Sequence, residues 1–197
     1  MAESQIQTDD FSDIRDAVRS LCQGFPGEYW REKDRNREYP REFVQALTDS
    51  GFLAVLIPEA YGGSGIGILE ASAILEEIHK SGCNGAACHA QMYIMGTLLR
   101  HGSEEQKKKY LPGIASGALR LQAFGVTEPG SGTDTTSIRT FAKKDGDGYV
   151  INGQKVWTSR VEHSDLMLLL ARTSPKEEVS KRTEGLSVFL VDLGESL

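Results

Sequence analysis

Up to about residue 120 the apolar positions of this chain recur with the period of a helix. Phe11, Ile14, Val18 and Leu21 fall on the i, i+3, i+4 stripe of an amphipathic helix. Pro40 to Ser50 carries Phe43, Val44 and Leu47 on one face, and Gly51 is placed to stop it. Leu69 to His79 and Ala86 to Arg100 are the longest apolar-faced stretches and are expected to pack together as a buried pair. Ser103 followed by Gln106 reads as a capping box that opens a helix ending by Pro112.

After Leu121 the period shortens to that of strands. Leu121, Ala123, Phe124 and Val126 form an apolar run, and Ile138, Thr140 and Ala142 alternate. Asp145-Gly146-Asp147-Gly148 turns the chain, and Tyr149 to Ile151 returns it. Asn152-Gly153 is a strong hairpin signal, since both turn positions of that type need positive φ. Leu166 to Ala171 and Leu186 to Asp192 read as further strands, joined by a charged, solvated connection from Ser174 to Glu184. The expected architecture is α+β and multidomain. An all-α domain over residues 1–120 precedes an antiparallel, β-barrel-like domain over 121–197. Five strands leave that sheet with an open edge, so the β domain reads as incomplete. No internal repeat or low-complexity tract is present.

Between the first two strands lies Thr127-Glu128-Pro129-Gly130-Ser131-Gly132-Thr133-Asp134. Gly130 and Gly132 are expected to turn with positive φ and to bring backbone N–H groups close to a ligand. Thr127, Ser131 and Thr133 add short hydroxyls that donate or accept without bulk. Such a loop suits a flat polar cofactor held against the end of a sheet, although a Gly-rich turn alone would look similar.

Composition narrows the setting. Of the 197 residues, 39% are hydrophobic and 25% charged, as in an ordinary globular protein. A net charge of −6 with no large basic cluster argues against nucleic acid or an anionic membrane as partner. Lys107 to Lys109 is the one basic run, and it reads as a solvated helix end. No apolar run reaches the length of a membrane span, and Met1 to Asp10 is polar and acidic, unlike a secretory or mitochondrial leader. A cytoplasmic setting is the expectation. Cys22, Cys83 and Cys88 cannot all pair, which suggests reduced thiols. His79, Cys83, Cys88 and His89 are four ligand types close together, but their spacing matches no common zinc pattern, so helix packing is preferred.

The loop from Val126 to Asp134 closely resembles the signature of the acyl-CoA dehydrogenase flavoproteins, hydrophobic-Thr-Glu-Pro-x-Ala/Ser-Gly-Ser/Thr-Asp. The resemblance extends upstream to Ile57–Gly65, Gly102–Lys107 and Tyr110–Pro112, and downstream to Tyr149–Trp157 and Leu186–Val191. It implies FAD as cofactor and oxidation of an acyl-CoA thioester to its trans-2-enoyl form, with electron-transfer flavoprotein as acceptor. It implies a homodimer or homotetramer for the full-length protein. By match of motif, the flavin-contacting roles fall to Phe124, Val126, Thr127, Gly132 and Thr133 in the loop, and to Trp157, Thr158 and Ser159 beyond the hairpin. Thr133 stands where the family usually has Ser, at the junction of flavin and pantetheine. Met92 and Met95, with His89 and Tyr93, are expected beside the acyl chain, although such spacing equally marks a helix core. The family reads Trp-Ile-Thr-Asn where this chain reads Trp157-Thr158-Ser159-Arg160, so Arg160 is a departure; a cation there could favour the anionic reduced flavin, but pointing into solvent is its expected place.

Neither Glu128 nor Asp134 is assigned as the catalytic base; both read as turn residues. The resemblance places the base in a C-terminal four-helix bundle or a helix near it, expected to be absent from these 197 residues, so no catalytic residue is assigned here. Two rivals follow: an oxygen-using acyl-CoA oxidase or flavin monooxygenase of the same fold, and a truncated, non-catalytic member acting by association.

Overall fold

The computed structural model describes residues 11–194. The reading of Met1 to Asp10 therefore lies outside the described residues. Two compact units divide within one helix, at Met92 and Tyr93.

The first unit is helical. It contains α1 (Ser12–Gln23), α2 (Gly27–Asn36), α3 (Arg41–Asp49), α4 (Ile68–Lys80) and the first part of α5 (Ala86–His101). The stripe on α1 buries Val18 and Cys22, and α3 buries Phe43, Val44 and Leu47 and stops before Gly51 at φ 76°. The expected pairing of the two long apolar helices is corrected, because α4 packs chiefly along α1. Ion pairs also join these two helices: Arg15 reaches Glu76 at 2.6 Å and Arg19 reaches the buried Glu77 at 2.8 Å. From α5, Ala87, Cys88 and Met92 join the same core.

Periodicity gave no sign of α2, since its sequence is polar and none of its residues is fully buried. Tyr29 and Trp30 supply its grip, stacking edge-on with Phe25 and Phe43 at centroid distances of 4.9–5.1 Å. All three cysteines are free and buried. Among the described residues no group of three or more His, Cys, Asp or Glu is placed to hold a metal. Nor is any helix among them long and apolar enough to cross a membrane.

The second unit holds the rest of α5, then α6 (Glu104–Ser116) and five strands. The capping box at Ser103 forms as expected, with Ser103 Oγ accepting from the Gln106 N–H and Gln106 Oε1 from the Ser103 N–H. The helix does not end by Pro112. It continues to Ser116 because Leu111, Ile114 and Ala115 bury one face, and Gly117 closes it at φ 78°. Lys107 therefore sits early in α6, paired with Glu104 at 3.0 Å, and not at a helix end.

The strands are β1 (Leu121–Gly125), β2 (Phe141–Asp145), β3 (Gly148–Asn152), β4 (Leu166–Arg172) and β5 (Leu186–Asp192). They form one sheet in the order β1-β4-β2-β3, with β5 on the other edge of β4. The expected all-antiparallel arrangement is only partly present: β2–β3 and β4–β5 are antiparallel, but β1 and β4 run parallel from Leu121↔Leu166 to Gly125↔Leu169. The forty-residue crossover between them is long enough to bring the chain back in the same direction.

A second correction concerns the hairpin. The turn expected at Asp145 to Gly148 forms between β2 and β3 with Gly146-Asp147 at its tip, but Asn152-Gly153 makes no second tight turn, since Asn152 pairs with Phe141 as the last residue of β3. Gly153 is glycine because of a close approach. A Cβ there would lie 2.3 Å from Thr140 Oγ1 and 2.6 Å from its Cα.

Candidate functional site

Along β1, Leu121 and Ala123 are fully buried, while Phe124 near its C-terminal end is half-buried. Val126 and Thr127 leave the strand into the glycine-rich loop. Glu128 and Ser131 close that loop with paired backbone bonds of 3.0 and 3.1 Å, leaving Pro129-Gly130 at its tip. Ser131 Oγ then donates to the Asp134 carbonyl at 2.6 Å. The Asp134 carboxylate accepts from Ser137 and Thr136 hydroxyls, each at 2.6 Å, and pairs with Arg182. Ser137 and then Thr136 hold this carboxylate well below its usual range, with Arg182 adding to them.

Gly130 and Gly132 do not adopt positive φ, contrary to expectation. Their use is openness: a Cβ at either position would meet nothing within 4 Å. The loop is locked from within by side-chain bonds, so its glycines leave the backbone accessible instead of bending it.

Glu128 is a buried brace. It is 7% exposed and accepts the Arg139 N–H at 2.6 Å, the Thr140 N–H at 2.9 Å and Lys155 Nζ at 2.9 Å. Burial alone would raise this carboxyl, but donation from Thr140, the Arg139 N–H and Lys155 outweighs it and pulls it down to about 2. A group so firmly ionised and enclosed is a poor proton acceptor at neutral pH, which fits a structural role.

The segment 153–159 runs beside the end of β1. Val156 N–H donates to the Thr127 carbonyl at 2.9 Å, and Lys155 Nζ to the Val126 carbonyl at 2.9 Å. These bonds bring Val126 and Thr127 beside the segment that carries Trp157, Thr158 and Ser159. Trp157 adopts φ 62° and is 87% exposed. A bulky residue in the left-handed region is a conformational outlier, and it costs about 1 kcal/mol or more. A further outlier follows at Arg160, φ 61°, which is half-buried and not turned out to solvent as expected; its Nε is enclosed without an acceptor.

Hydroxyls in this region divide into two sets. Those of Ser131, Thr136 and Ser137 are spent on the loop itself. Those of Thr127, Thr133, Thr158 and Ser159 have no side-chain partner among the described residues. The second set, the open backbone at Gly130 and Gly132 and the outward indole make a donor and acceptor set that suits the edge of a flavin ring.

Of the residues read as touching substrate, Thr133 is exposed on this loop. Met92 and Met95 are buried, at 4% and 0% exposure, and Met92 belongs to the core cluster that also holds Ile74, Ile78 and Cys88. The structure places both in core packing and leaves His89 and Tyr93 on the outer face of α5. Lys155 had no assigned role in the sequence. The available signal was its place two residues before Trp157, on a segment otherwise poor in apolar residues.

Comparison with known proteins matches residues 8–118 to the acyl-CoA dehydrogenase N-terminal domain and residues 123–196 to the acyl-CoA dehydrogenase middle domain. Acyl-CoA dehydrogenase FadE12 of Mycobacterium tuberculosis is 36% identical over 171 residues, covering 86% of this chain and 44% of that protein. A 3-(aryl)acrylate reductase of Clostridium sporogenes is 34% identical over 188 residues, covering 92% of this chain and 48% of its own length. An acyl-CoA dehydrogenase structure from Geobacillus kaustophilus superposes with a TM-score of 0.84 at 28% identity, over 95% of this chain and 49% of that one. The chain thus spans about half the length of the relatives it matches.

Proposed function

Because the chain belongs to the acyl-CoA dehydrogenase family, we propose that it supplies one wall of a site for FAD-dependent α,β-dehydrogenation of an acyl-CoA thioester. The observation that carries this reading is the outward, left-handed Trp157, with the uncommitted hydroxyls of Thr158 and Ser159 next to it in the chain and that of Thr127 brought alongside by the Val156 bond. FAD, when bound, would accept the hydride from the β-carbon. Phe124, Val126 and Thr127 would border the ring from the end of β1, with Gly132 and Thr133 in the loop. Trp157 would cover an aromatic face, and the hydroxyls of Thr158 and Ser159 would meet polar ring atoms. Thr133 would also meet the pantetheine arm, and we propose substrate contact there while leaving Met92 and Met95 to packing. No catalytic base is assigned among the described residues, and the resemblance places it in the family's C-terminal bundle.

The reading carries with it electron-transfer flavoprotein as acceptor, a homodimer or homotetramer, and a cytoplasmic setting. The matched ranges support a functional boundary near residue 120, with 1–120 helical and 121–197 carrying the flavin edge.

Absorption spectra of the purified chain with added FAD, before and after an acyl-CoA without oxygen, test the proposal. We expect weak FAD binding that W157A lowers about tenfold, and visible bands that do not bleach. Equal binding by W157A and wild type would overturn the proposed wall. Bleaching would locate a base within this chain. Rapid reoxidation by oxygen after bleaching would assign the oxidase chemistry in place of the dehydrogenase.

A further inference from the structure

The exposed indole of Trp157 gains little from burial, and it makes no ring contact among the described residues. Its left-handed backbone is unfavourable in isolation. Its posture is therefore imposed by what flanks it. On one side Gly153 lies against Thr140 with no room for a Cβ. On the other, the Arg160 carbonyl accepts from the His163 N–H at 3.0 Å and from Ser164 Oγ at 2.9 Å. Between these backbone anchors, among the described residues, one side chain ties residues 153–159 to the neighbouring loop. Lys155 is 9% exposed at its side chain, and Nζ donates to the Val126 carbonyl and the Glu128 carboxylate, each at 2.9 Å.

Through Glu128 the same ammonium is linked to the first residues leading into β2, since that carboxylate holds the Arg139 and Thr140 N–H groups. Lys155 thus joins the end of β1, the start of β2 and the segment bearing the indole.

We infer that Lys155 is a positioning residue that holds Trp157 outward as a preformed aromatic wall. It acts by fixing the segment 153–159 against Val126 and Thr127. The role rests on the flavin reading for its purpose, but not for its geometry. A side chain held in its binding posture before the ligand arrives loses less freedom on association, so affinity rises without a new contact.

The test compares wild type and K155M by amide hydrogen exchange and by 15N relaxation of the Trp157 indole, both on the full chain without flavin. We expect exchange at the Val156 amide, which is bonded to Thr127, to quicken at least tenfold, and the indole order parameter to fall. Amides of β4 and β5 should keep their wild-type rates, which separates loss of positioning from loss of the sheet. K155Q is neutral but can still donate to the Val126 carbonyl, and should shift both signals less. Folded K155M with unchanged Val156 exchange and unchanged indole order overturns the inference. If neither variant folds, the pair is a determinant of folding and the positioning role also falls. These readings need no cofactor, so they decide the role of Lys155 even if W157A shows that the indole does not contact FAD. Where FAD does bind wild type, K155M should weaken it by about tenfold as well.

Discussion

The backbone at Trp157 pays for a shape that the free chain does not use. Gly removes the steric cost of the left-handed region but loses more freedom on folding, and at this exposed position no buried surface is lost. W157G should therefore raise stability by roughly 0.5–1 kcal/mol in urea unfolding, while lowering affinity for FAD. Glu128 makes the opposite kind of contribution. Its carboxyl falls from an ordinary 4.5 to about 2 on folding, so the stabilisation is complete above 4.5 and is lost as pH falls through about 2. The shift corresponds to roughly 3 kcal/mol at most. Urea midpoints should drop steeply between pH 5 and pH 2 in wild type and less steeply in E128Q. At this scale the sequence disclosed which residues line the loop but not how they are used. Nothing local distinguishes the committed hydroxyl of Ser131 from the uncommitted one of Thr133, because the difference lies in partners such as the Asp134 carbonyl. Lys155 escaped notice for the same reason: its acceptors are 27 and 29 residues away.

Among the elements, those whose ends are written in local chemistry were readable. Both bonds of the capping box on α6 are made, and S103A should cost about 1 kcal/mol, visible as a lower melting temperature by circular dichroism. The amphipathic stripes of α1 and α3 and the glycine after α3 were equally plain. Where local signals competed, the tertiary fit decided. Asn152-Gly153 has the chemistry of a tight turn as plainly as Gly146-Asp147, yet only the latter turns the chain, and Gly153 is used for contact with Thr140. G153A should thus destabilise by about 1–3 kcal/mol, as overpacking does, while G146A, where a Cβ meets nothing within 4 Å, should cost about 1 kcal/mol from its left-handed φ of 56° alone. Pro112 shows the limit of a breaker signal, since buried Leu111 and Ile114 carry α6 past it. In α2 the pattern is nearly all polar, and only its aromatic pair reveals that it packs.

For the whole molecule, the order of helices followed by strands was legible from the change of period near residue 120. The parallel pairing of β1 with β4 was not, because a crossover leaves no mark in either strand. The compact units also divide elsewhere, at Met92, so α6 and the later part of α5 fall in the same compact unit as the sheet. A fragment of residues 93–197 should unfold cooperatively in urea, whereas 121–197 alone should not. Equal cooperativity of the two would show that the sheet needs neither helix. The chain has two tryptophans, one half-buried in the helical unit and one almost wholly in water. Its fluorescence should therefore contain a red-shifted share emitted by Trp157 alone. That light would dim or move to the blue whenever something settles over the end of β1, so the protein carries its own optical gauge of occupancy.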